Sequence, residues 1–345
     1  MIDARVPTST VSQSASDTDS AGSGAHGIRP PGYRLPEATR VGHVVLQVAD
    51  LARSLEYYQQ VLGFRVLGRA GAPASAPADA PADAPADAPA DAPAGAPAGA
   101  RATLAAHGDA APLIELHERR GARPVSRRGR LGLYHFAILL PTRAALGQFV
   151  AHLANIGAYA GMSDHLVSEA VYLTDPDGLG IEVYADRPRV SWQTDGGQLV
   201  MQIEPLDVDD LVRAGGGAPW TGMPAGTTIG HVHLFVADLD AATTFYHAGL
   251  GFDKTVWMYP GALFLAAGGY HHHLGTNTWA ADAPRAEADD ARLVEWVIVL
   301  PDRAAVQDSA RSMEAAGHPV TTTGDGWIAT DPWGTQIHII SSDGR

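Results

Sequence analysis

Apolar residues fall in short alternating runs that recur in pairs along the chain. Val41-Gly42-His43-Val44-Val45-Leu46-Gln47-Val48 reads as a strand leading to Asp50, and Ile229-Gly230-His231-Val232-His233-Leu234-Phe235-Val236 as one leading to Asp238. Each Asp stands where its side chain can cap a following helix. The helical patterns come next, Ser54-Leu55-Glu56-Tyr57-Tyr58 and Thr243-Thr244-Phe245-Tyr246. Leu62-Gly63-Phe64 and Leu250-Gly251-Phe252 follow, with glycine as the C-cap signal. The interval from His43 to Tyr58 equals that from His231 to Tyr246, so the two units share a fold and not merely a composition.

Two more diverged units open at Leu133-Tyr134-His135-Phe136-Ala137-Ile138-Leu139-Leu140-Pro141 and Leu293-Val294-Glu295-Trp296-Val297-Ile298-Val299-Leu300-Pro301. Both pass through an Ala-rich helix and close near Asp175-Pro176-Asp177-Gly178 or Asp331-Pro332-Trp333-Gly334 before a last strand. All four units read strand, helix, then about three strands, which gives an α+β chain of four βαβββ modules. Modules one and two span residues 38–188, modules three and four residues 227–342, and residues 189–226 form a Gly- and Pro-bearing linker. Residues 1–36 are Ser/Thr/Gly/Pro-rich and read as a disordered tail. Residues 71–100 repeat Ala-Pro-Ala-Asp and then Ala-Pro-Ala-Gly, a low-complexity insertion without a packing face.

Composition narrows the chemistry. A chain of 345 residues, 46% hydrophobic, can build two ordinary cores, and a formal charge of −14 argues against nucleic acid. The Arg119–Arg130 stretch reads as a solvated loop. With no Cys there are no disulfides and no thiolates, so any metal must be held by His, Asp or Glu. The chain has no apolar run fit to cross a bilayer and its first residues have no signal-like core, which makes the cytoplasm the expected compartment. Exposed module edges are compatible with a homo-oligomer.

The densest chemistry lies in residues 164–182, Asp-His-Leu-Val-Ser-Glu-Ala-Val-Tyr-Leu-Thr-Asp-Pro-Asp-Gly-Leu-Gly-Ile-Glu. Asp175-Pro176-Asp177-Gly178 predicts a tight turn and hence a hairpin. On its outgoing strand Glu182 shares a face with Gly180 and Tyr184, opposite Ile181 and Val183. An acid in so apolar a strand is either on a solvated face or is paired, protonated or metal-bound, and the residues alone leave that open.

The fourfold pattern, with Asp164–Glu182 and Gly268-Gly269-Tyr270-His271-His272-His273-Leu274-Gly275-Thr276-Asn277-Thr278-Trp279, resembles the vicinal oxygen chelate superfamily of glyoxalase I, bleomycin-resistance proteins and extradiol dioxygenases. Within it the chain resembles the bacterial catechol 2,3-dioxygenase group in particular. The resemblance implies two cupped mixed sheets, with metal ligands on the first and last strands of paired modules. It also implies an Fe(II)-dependent extradiol cleavage of a small aromatic diol by O2. Mn(II) takes the same ligand types.

First- and last-strand positions offer His43 and Glu115, His135 and Glu182, His231 with His271–His273, and Glu295 with His338. The resemblance implies His135, His231 and Glu182 as the metal ligands, His272 as the acid–base group, and His165 and Tyr172 as hydrogen-bonding partners of the substrate. Modules two and three then pair to build the active cup, and modules one and four form a second, structural cup. Pairing module one with two would instead give His43, Glu115, His135 and Glu182, a four-ligand set resembling that of glyoxalase I, for an isomerase or lyase. We take the first set because module three carries the triple histidine. A metal-free drug-sequestering protein is a third reading, disfavoured by so many His and Tyr. His233 lies on the His231 face, while His271 and His272 would point to opposite faces of a strand. His43, Glu115 and Glu295 have ordinary readings as a core histidine and solvated acids; His273 and His338 receive no role. Trp257, Tyr259, Phe264 and Trp279 could wall an aromatic pocket or simply pack a core.

Overall fold

A computed structural model describes residues 26–71 and 99–344. Two eight-stranded mixed sheets carry the chain, and each is assembled from modules far apart in sequence. One sheet runs Asp253–Val256, Ala262–Ala266, Leu274–Asn277, Thr228–Phe235, Gly132–Leu139, Gly180–Asp186, Ser168–Thr174 and Gly161–Asp164. It joins modules three and two. The other runs Thr321–Thr322, Gly326–Thr330, Gln336–Ser341, Arg292–Leu300, Arg40–Val48, Ile114–Glu118, Arg101–Ala105 and Arg65–Ala70, joining modules four and one. In both, the two first strands meet antiparallel at the centre, and each runs parallel to the last strand of its own module.

Alternation assigns the faces. Phe136 and Ile138 pack into the main core with helix residues such as Leu146 and Phe149, whereas Ala137 and Tyr184 belong to a separate cluster on the other face. The helices begin as their caps dictate: Asp50, Thr142, Asp238 and Asp302 accept from the backbone of Arg53, Ala145, Ala241 and Ala305. Sequence-adjacent modules are tied differently, from helix to turn. Tyr58 of module one donates to Asp175 Oδ2 of module two at 3.3 Å, and Tyr246 of module three to Asp331 Oδ2 of module four at 2.7 Å.

Two expectations need correction. The N-terminal tail up to residue 36 is not wholly disordered: residues 26–36 lie along module three, while residues 1–25 fall outside the described chain. Ile28 bridges Lys254, Leu35 is buried, Arg34 pairs with Asp253 at 2.6 Å, and Tyr33 donates to the Ala305 carbonyl at 3.2 Å. Residues 189–226 are likewise more than a linker. They contain a short ribbon of Thr194–Asp195 and Gln198–Leu199 and a helix, Val208–Ala214, that packs on helix Arg143–Ile156. The low-complexity insertion lies mostly outside the described residues. It leaves the sheet at the tip of a hairpin, where Ala70 pairs with Arg101.

Candidate metal centre and its cavity

The hairpin predicted at Asp175–Gly178 forms, joining Ser168–Thr174 to Gly180–Asp186, with Gly178 at φ 88°. It sets Glu182 opposite Tyr172 on one side and opposite Ala137 on the other. Across the sheet centre His231 faces Ala137 and His233 faces His135. Ala137 is small, so His135, His231 and Glu182 can reach toward one another above it. Gly180 allows the close approach of the next strand: a Cβ there would lie 2.0 Å from the Tyr134 carbonyl oxygen.

His135 Nε2 lies 3.0 Å and His231 Nε2 3.3 Å from Glu182 Oε2. The three ligand-type atoms lie within 4.8 Å of one another, and these residues are the only such group among the described residues. All three side chains are at most 5% exposed. Burial opposes the charge of Glu182, but His231 and His135 outweigh it and hold the carboxyl well below its ordinary value. Burial brings His231 down to about 4, which leaves a neutral imidazole at pH 7. Despite that proximity, neither nitrogen of His135 and not Nδ1 of His231 has a hydrogen-bond partner. Buried polar atoms left so, around a carboxylate, are costly unless something else satisfies them. Two imidazoles and one carboxylate suit a divalent metal of the Fe(II) or Mn(II) kind.

His233 shares their face but is otherwise engaged. The Asn277 amide donates to His233 Nε2 at 3.0 Å, and Asn277 Oδ1 accepts from the Trp279 backbone, which fixes the amide's orientation.

Two further constellations reach the same cavity. His165 Nδ1 donates to the Gln202 carbonyl at 2.7 Å, which leaves Nε2 to accept from the Tyr172 hydroxyl at 2.6 Å. The triple histidine precedes strand Leu274–Asn277 rather than lying in it, so strand alternation does not govern it. His271 and His272 accordingly turn toward each other, Nδ1 to Nδ1 at 2.7 Å, against the expectation of opposite faces. His271 Nε2 contacts Asp186 Oδ1 at 3.0 Å, and Asp186 also accepts from Tyr270, which in turn bonds Tyr184. The His272 ring lies 4.0 Å from that of His231.

The cavity measures about 580 Å³ and is lined by His135, Glu182, His165, Tyr172, His233 and His272. Tyr259, Phe264 and Trp279 form part of its wall, together with Met201, Gln202 and Ile203 from the segment expected to be a linker. Trp257 packs outside that wall against the core. His43 and Glu115 belong to the other sheet, so the four-ligand alternative with His135 and Glu182 is not brought together. Sequence reasoning missed Asp186, Asn277 and Gln202. Asp186 had a signal, since it continues the Glu182–Tyr184 alternation; Gln202 acts through its backbone and had none.

The family profile of the Glyoxalase/Bleomycin resistance protein/Dioxygenase superfamily matches residues 40–183 and 228–339. The chain belongs to that superfamily. A catechol-2,3-dioxygenase of Bacillus subtilis (strain 168) is 39% identical over 302 residues, covering 86% of this chain and 95% of the relative. Among solved structures, a candidate dioxygenase from Bacillus subtilis subsp. subtilis str. 168 superposes with a TM-score of 0.56 at 13% identity, covering 90% of this chain and 86% of that one. A glutamate-to-glutamine mutant of glyoxalase I from Zea mays superposes with a TM-score of 0.50 at 16% identity, covering 88% and 94%. These superpositions speak for the superfamily's fold. The sequence relative supports a dioxygenase within it. Among the described residues no helix is long and apolar enough to cross a membrane.

Proposed function

We propose that the chain is an Fe(II)-dependent extradiol dioxygenase that opens catechol-type rings beside the diol, both atoms of O2 entering the product. The observation that carries this reading is the buried His135–Glu182–His231 group, of which His135 and Glu182 line an aromatic-walled cavity. Three protein ligands rather than four leave coordination positions for reactants. Fe(II) held there would supply Lewis acidity toward the diol and electron exchange with O2. Mn(II) is the alternative occupant.

The remaining residues have roles set by their hydrogen bonds. With its hydroxyl proton given to His165, the Tyr172 oxygen is left as an acceptor for a diol O–H. The Gln202 carbonyl keeps His165 in the required tautomer. Asp186 Oδ1 accepts a hydrogen bond from His271 Nε2–H, so His271 Nδ1 accepts from His272 Nδ1–H. His272 then offers Nε2 as the atom that takes and returns a proton. Asp186 and His271 are positioning residues, acting through His272.

Anaerobic reconstitution with Fe(II), then addition of catechol and O2, tests the reading. The expected result is a yellow ring-fission product and stoichiometric O2 uptake. Absence of both across a panel of substituted catechols would sink it, and O2-independent turnover of a hemithioacetal would replace it.

A further inference from the structure

The cavity has the opposite charge balance to the chain around it. The sequence has 38 Asp and Glu against 24 Lys and Arg. The cavity wall has four arginines, Arg127, Arg128, Arg130 and Arg292, and among the described residues Glu182 is its sole carboxylate. The segment expected to be a solvated Arg-rich loop thus divides in two. Arg119 pairs with Asp289, Arg123 lies 2.6 Å from Glu287 and 2.9 Å from Asp290, and Arg130 lies 2.6 Å from Asp290. Those three fasten the segment to the loop that leads into strand Arg292–Leu300. Among the described residues no ion pair engages Arg127, Arg128 or Arg292.

Arg292 has a feature that an anion would satisfy, and Arg128 one that is common at binding sites. Arg292 Nε is buried without a hydrogen-bond partner, and burial, with Arg119 nearby, pulls its guanidinium below its ordinary value. Arg128 sits at φ 61°, a left-handed conformation that an L side chain adopts at a cost and that clusters at binding sites. Arg127 and Arg128 line the same cavity as Tyr134, whose ring lies 4.7 Å from that of His135. At about 580 Å³ the cavity falls in the range of sites that bury drug-sized ligands, more than a bare diol ring needs.

We propose that the substrate is a catechol whose ring carries a substituent ending in a carboxylate, with the diol at the buried triad and the carboxylate at Arg127, Arg128 and Arg292. This rests on the dioxygenase reading and narrows it. The field of three cations in a cleft also draws such an anion in from solution, although the protein as a whole repels it.

The test compares 3,4-dihydroxyphenylacetate with its neutral amide and with catechol in the Fe(II)-loaded protein, alongside anaerobic calorimetry of the acid and the amide. The acid is expected to exceed the amide at least about tenfold in kcat/KM, with the margin shrinking as salt is raised. In Arg127→Ser/Arg128→Ser, both exposed positions, and separately in Arg292→Met, the acid-to-amide ratio should fall toward one in both readouts. Equal turnover of acid and amide, or a preference that survives these substitutions, overturns the inference and leaves the dioxygenase reading standing. Ring opening of none of the three compounds overturns both.

Discussion

The two sheets share strand order and differ in what they do with the same residue types. By register, Glu295 takes the place of His135, His338 that of Glu182, and His43 that of His231. In the cup of modules two and three a single buried carboxylate, Glu182, faces two buried imidazoles. In the cup of modules one and four His338 lies 3.4 Å from Glu295 and 3.1 Å from Asp325, and His43 and His117 lie 3.5 and 3.3 Å from Glu115. Burial works against charge on His338, but Glu295 and Asp325 outweigh it and raise its pKa. A protonated imidazole has no lone pair to give. Depth and the number of carboxylates around each histidine, not the fold, set the two cups apart.

The largest effect should separate the cups outright. His231→Ala is expected to lower metal affinity more than about 100-fold, beyond the range for loss of a ligand's supporting partner, while His43→Ala leaves the bound metal content unchanged. Metal analysis after reconstitution reads both, and a reversed result would move the site to the other sheet.

Next comes the turn that both halves share. Asp175 is raised to about 7 chiefly by burial, with Asp177 adding like charge, and Asp331 is raised too but has Trp333 where the other turn has Asp177. A raised carboxyl stabilises the fold fully below its unfolded pKa near 4, and this contribution fades as pH climbs through 7. Asp175→Asn cannot ionise, so between pH 4 and 8 it should gain on the wild type by up to about 4 kcal/mol in denaturant unfolding. Asp331→Asn should gain less; equal gains would show that Asp177 contributes nothing.

Within the active cup, His272→Ala should lower kcat about 100-fold with metal retained. Asp186→Asn should cost about tenfold in kcat with little change in KM, since it acts through His271; a change confined to KM would remove it from the positioning role. The smallest effect belongs to the other cup. His338→Gln should cost under about 1 kcal/mol, visible at pH 5.5 and gone at pH 9, because a raised histidine stabilises below its unfolded pKa and stops doing so above the folded one. Melting temperatures at the two pH values check it.

The modules and their nested pairing were legible because the interval from His to Tyr is carried by side chains in periodic elements and the triple histidine marks module three. The rest was hidden for specific reasons. Residues 26–36 are held by Tyr33 and Arg34, whose partners lie 272 and 219 residues away. Gln202 serves through a carbonyl that every residue has. His271 and His272 lie just before their strand, where alternation has no authority.

The nested pairing also orders events during synthesis. Modules two and three lie inside modules one and four in the chain, like brackets within brackets. The inner sheet has all its strands once Asn277 has left the ribosome; the outer one waits for Ser341. Until then the edge of strand Arg40–Val48 that will meet Arg292–Leu300 stands open, and module one is a half-sheet without its mate. A nascent chain stalled between these two points would therefore hold a finished inner sheet beside an unclosed edge.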